Sequence, residues 1–170
     1  LSMKGGWNFA FFAGSLMASL SQGFMLGLYI MGLDWSAASV LFACVTALCL
    51  TMAYALIGAT WLIHKTEGPL QVKSVQWAQW ALWGAIAGLV AVSLVTPAVS
   101  ERLFAKWFGW PQTLALLPLP VLAGGLLLGL WSSLRRVLSW TGGWSWVPLV
   151  LTALVFACGF LGMAYSFFPF

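Results

Sequence analysis

Residues 35–63 read WSAASVLFACVTALCLTMAYALIGATWLI, without one charged side chain. A helix rising about 1.5 Å per residue needs about 20 apolar residues to cross a ~30 Å hydrocarbon core. The run is long enough for one crossing and too short for two. It shows no period-two alternation, which a membrane-spanning strand would need. It reads as one transmembrane helix.

The same pattern repeats on both sides. Charges fall at Lys4, at Asp34, from Lys65 to Lys73, from Glu101 to Lys106, and at Arg135 and Arg136. Between them lie uncharged stretches at 5–33, 35–63, 74–100, 107–134 and 137–170. Charged residues make up 6% of the 170, where a globular domain carries roughly a quarter. Apolar types reach 62% and mean hydropathy is +0.99, too little polar surface for a water-soluble domain. The net charge of +4 comes from scattered residues, which excludes disorder and nucleic-acid binding. The expected fold is all-α: one polytopic membrane domain of five helices, at about 7–31, 37–63, 75–97, 112–134 and 146–168. The first run is about twice as long as the h-region of a signal peptide. The chain opens on Leu1 and ends on Phe167-Phe168-Pro169-Phe170, so a longer protein cut at both ends is expected.

Within the first span, Ser15, Ser19, Gly23 and Gly27 recur on one face, which lets a second backbone approach closely. Gly84 and Gly88 do the same in the third. Gly68-Pro69 stops the second helix, and the third is expected to close near Pro97. Pro118 and Pro120 fall inside the expected fourth span and predict a kink or a loosened first half. Pro148 sits in the first turn of the fifth. Five basic residues (Lys4, Lys65, Lys73, Arg135 and Arg136) belong to one membrane face against Arg102 and Lys106 on the other. That bias places the first face in the cytoplasm. Eleven of the 12 tryptophans, Trp7, Trp35, Trp61, Trp77, Trp80, Trp107, Trp110, Trp131, Trp140, Trp144 and Trp146, lie near span ends as headgroup anchors; Trp83 is deeper.

Chemistry is sparse. A membrane haem takes an axial His, paired with His or Met. The single histidine, His64, falls at a span end beside Lys65, and Met17, Met25, Met52 and Met163 have no histidine to partner. Cys44, Cys49 and Cys158 are mid-span without metal-ligand spacing. Asp34, Glu67 and Glu101 all lie in loops, so no intramembrane carboxylate marks an ion path. No catalytic residue and no metal ligand is expected, and the chain reads as a helical scaffold.

Two stretches are more specific. One is Trp7-Asn8-Phe9-Ala10-Phe11-Phe12-Ala13-Gly14-Ser15, continuing to Gln22-Gly23-Phe24-Met25-Leu26-Gly27. The other is Gly58-Ala59-Thr60-Trp61-Leu62, continuing through Lys65-Thr66-Glu67-Gly68-Pro69-Leu70-Gln71. Together with the ending around Pro169 they resemble subunit II of the cytochrome bd-type quinol oxidases, including the cyanide-insensitive branch. The resemblance implies a scaffold subunit in the bacterial inner membrane, paired with a subunit I that holds haems b and d. The complex oxidises quinol, reduces dioxygen to water and generates a proton gradient. In some members subunit II also holds a structural quinone. About three helices are then expected before Leu1, with the family's proposed proton-path acids and a histidine, and one helix after Phe170. Asn8 stands where the family often has an acidic residue. The competing readings are a fragment of a small secondary transporter, which needs polar groups at a broken helix near the midplane, and a structural membrane protein of another complex.

Overall fold

The computed structural model describes residues 3–99, 118–139 and 143–167. Five helices carry the chain: α1 (Met3–Ile30), α2 (Ala37–Lys65), α3 (Pro69–Val99), α4 (Pro118–Arg136) and α5 (Val147–Phe167). Short 3₁₀ turns at Val137–Ser139 and Trp144–Trp146 flank the connection between α4 and α5. All five helical segments are long and apolar enough to cross a membrane, and no strand occurs among the described residues. The protein is an all-α polytopic membrane bundle.

Each turn has a local cause. α1 ends in a Schellman motif: the Leu33 N–H donates to the Leu28 carbonyl at 2.8 Å and the Gly32 N–H to Tyr29 at 3.1 Å. Gly32 takes a left-handed φ of 73° without a Cβ penalty, and Leu33 follows at 61°. Ser36 then caps α2, its Oγ accepting from the Ser39 N–H at 3.3 Å. Ser39 Oγ donates to Asp34 Oδ2 at 3.2 Å. Hydrogen bonding from Ser36 first, and from Ser39, holds the Asp34 carboxyl below its ordinary range.

One helix limit differs from the sequence expectation. α3 begins at Pro69 rather than 75, because a proline in the first turn loses no helical donor and the polar start beyond the hydrocarbon can still be helical. It ends at Val99, near Pro97 as expected. α4 as described opens on Pro118, with Pro120 in its first turn. The expected start of that span at 112, the loop from Glu101 to Lys106, Trp107, Trp110, Trp140 and Pro169 lie outside the described residues.

α2 is the central element, packed by α1 and α3 and meeting α5; α4 pairs with α5. The main core lies toward one end of the bundle. Leu56, Ala59 and Ile63 of α2 meet Val75, Ala78, Ala81 and Leu82 of α3, and Leu130, Leu134 and Val137 from the end of α4. Elsewhere the helices expose large apolar side chains: Phe11 is 80% and Trp80 79% exposed, a surface suited to lipid or another membrane helix and not to water. The buried polar side chains are serines and threonines, and most bond a carbonyl one turn back in their own helix. Thr46 donates to Phe42, Thr60 to Leu56, Ser74 to Leu70 and Thr152 to Pro148, all at 2.8–2.9 Å. Among the described residues no buried side-chain nitrogen or oxygen lacks a partner.

Candidate functional site: a helix-packing face and a membrane-end corner

The small-residue face of α1 meets α2 backbone to backbone. A methyl group on Gly23 would run into the Ala47 Cα and lie 3.0 Å from the Thr46 carbonyl oxygen. One on Gly27 would collide with the Ala43 Cα and lie 3.1 Å from Thr46 Oγ1. The antiparallel register continues to a polar contact, where Thr51 Oγ1 shares its bond between Ser19 Oγ at 3.1 Å and the Ala47 carbonyl at 2.9 Å. Gln22 Oε1 accepts from the Tyr54 hydroxyl at 3.0 Å. Ser15 departs from expectation: it is exposed, as is Ala55 opposite it in the same register. Gly14 and Trp7 are exposed too.

Thr51 and Tyr54 were not singled out from the sequence. Their signal was available: Ser19 and Gln22 on one span match Thr51 and Tyr54 on the next, both pairs spaced to share a helix face.

The motif from Gly58 to Gly68 builds the corner between α2 and α3. Thr60 is fully buried, while Trp61 is 51% exposed and Gly58 faces open space. Thr66 ends α2 twice over: its N–H and its Oγ1 both donate to the Leu62 carbonyl, at 2.9 and 2.7 Å. The next free carbonyl, Ile63, accepts from Gln71 Nε2 of α3 at 2.9 Å. Gly68 turns the chain at φ 69°, and Pro69 opens α3. Lys65 Nζ sits 5.2 Å over the Trp61 ring. His64 Nδ1 lies 3.4 Å from Ser145 Oγ of the turn before α5, tying the corner to the last helix.

Gly68→Val should weaken this corner by about 1–2 kcal/mol, the cost of a left-handed L-residue. The measurement is a lower thermal midpoint of the purified protein, with its spectrum otherwise unaltered.

His64 is poorly placed as a haem ligand. It stands next to Lys65 at a helix end, with Nδ1 3.4 Å from Ser145 Oγ. Among the described residues no group of three or more His, Cys, Asp or Glu side chains is gathered to hold a metal ion. An open groove of about 510 Å³ between α1 and α2 has apolar walls including Leu20, Phe24, Met25 and Leu48. Ser21 and Cys44 are its polar side chains, too few donors to fix the head of a structural quinone.

Neither curated proteins nor solved structures give a match. The family model for cytochrome bd terminal oxidase subunit II matches residues 2–170. That match takes in both the α1 face and the α2–α3 corner, in a bundle of apolar helices; the chain belongs to the cytochrome bd terminal oxidase subunit II family.

Proposed function

We propose that this chain is the scaffold subunit of a bacterial quinol oxidase, holding a haem-bearing subunit I in the inner membrane and ligating no haem itself. The partner carries haems b and d, quinol is oxidised, dioxygen is reduced to water, and the reaction contributes to the proton gradient. The end bearing Lys65, Lys73, Arg135 and Arg136 faces the cytoplasm. The observation that carries this reading is the bundle's interior: most buried serines and threonines bond a carbonyl of their own helix, and the helices present large apolar side chains outward to a neighbour. A secondary transporter would need polar or ionisable groups free to face a pathway at mid-membrane.

The test is copurification. An affinity tag on this chain should bring down, in mild detergent, a larger haem-containing membrane subunit that oxidises quinol. A colourless isolate without a partner overturns the proposal.

A further inference from the structure

We propose that the cationic end of the bundle binds the phosphates of anionic phospholipids, at two charges that are each backed by an indole ring. Lys65 Nζ lies 5.2 Å over the centroid of Trp61, and Arg135 Cζ lies 3.9 Å over that of Trp131. The two pairs come from different helices, the end of α2 and the end of α4. The shared core of Ile63, Leu134 and Val137 holds those ends in one layer. Arg136 and Lys73 belong to the same end, next to Arg135 on α4 and in the first turns of α3.

Three features favour a lipid phosphate. Lys65, Arg135 and Arg136 are exposed. Glu67 is the one carboxylate described at this end, it is exposed, and no ion pair joins it to these cations among the described residues. The cations therefore keep their charge available to an anion. The rings set the depth: an indole lies at the boundary between headgroup and acyl chain, so a cation on its face is held at phosphate level. Guanidinium adds paired donors to a phosphate, which a free-swinging ammonium lacks. Trp144 and Trp146, stacked with centroids 6.0 Å apart at the start of the fifth span, extend the aromatic ledge on the same side. This rests on the membrane spans alone and not on the oxidase reading.

Retention of phosphatidylglycerol against phosphatidylcholine, by native mass spectrometry of the detergent-extracted particle, tests it. Wild type should keep phosphatidylglycerol in preference. Lys65→Gln and Arg135→Gln should each lower that preference about fivefold, and together about 25-fold. Trp131→Leu, which keeps apolar bulk and removes the ring face, should lower it about two- to fivefold. The amount of recovered particle, measured in parallel, should not change. Equal retention of the two lipids by wild type overturns the proposal, as does an unaltered preference in the double variant. Displacement by millimolar inorganic phosphate would show a site for the free anion and also overturn it. A carbodiimide cross-link from Lys65 to a carboxylate of another subunit would show a protein partner there, and it too would overturn the lipid site.

Discussion

Gly23→Leu should lower the recovery of haem-bearing complex from membranes by about tenfold or more, at normal synthesis of the chain. The cause is steric and local. Nothing flexible faces Gly23: the atoms its Cβ would meet are the Ala47 Cα and the backbone around it. A side-chain neighbour can change rotamer, but a helix backbone can only retreat. Overpacking ordinarily costs about 1–3 kcal/mol, and a collision with backbone belongs at the top of that range or above it. Membrane helices associate largely through close packing, with no hydrophobic drive to compensate a lost contact. The retreat of α1 would also pull Ser19 from Thr51 and Gln22 from Tyr54, now 3.1 and 3.0 Å apart. Spectroscopic haem per cell, normalised to the chain by immunoblot, is the measurement. Full haem content in this variant would remove the packing role assigned to the α1 face.

The other face of α2 yields the second large effect. A Cβ on Gly88 of α3 would fall onto the Cβ and Sγ of Cys49, and one on Gly84 would lie 2.8 Å from Met52 Cγ. Gly84 therefore meets a flexible thioether that can swing aside, whereas Gly88 meets the root of a short side chain. Gly88→Ala should reduce recovered complex by about fivefold or more, and Gly84→Ala by much less. Cys49→Gly removes the obstructing atoms, so the double variant should regain most of the loss. A remainder of about 1 kcal/mol is expected from glycine within a helix. No rescue would mean that Gly88 matters for a reason other than its contact with Cys49.

The five crossings were legible because charge is the costliest thing to bury in lipid, so the charged residues mark where the chain leaves it. Helix ends were less so. Residues 69–74 include Gln71 and Lys73, and hydropathy cannot distinguish a polar loop from a helix protruding past the hydrocarbon. The glycine periodicity gave a face but not its partner. That Gly23 and Gly27 meet Ala47 and Ala43 depends on pairing between spans, which carries no hydropathy signal. Ser15 shows the limit most clearly, since it continues the row in sequence but is exposed in the structure.

The corner motif was readable as a resemblance and, at Gly68-Pro69, as a helix stop; the rest of its mechanics came only from geometry. Lys65, Thr66, Gly68 and Gln71 divide among them a cation held on an indole, a doubled cap, a left-handed turn and a bond back to Ile63. Only the turn at Gly68, read as a helix stop with Pro69, follows from residue type; the other three roles do not.

Haem stoichiometry of the tagged, detergent-extracted wild type and of His64→Gln decides between a scaffold and a haem ligand. The expected result is a coloured, two-subunit particle whose haem-to-chain ratio and reduced-minus-oxidised spectrum are the same in both. Loss of a haem in His64→Gln, or a wild-type isolate with neither pigment nor partner, would contradict it.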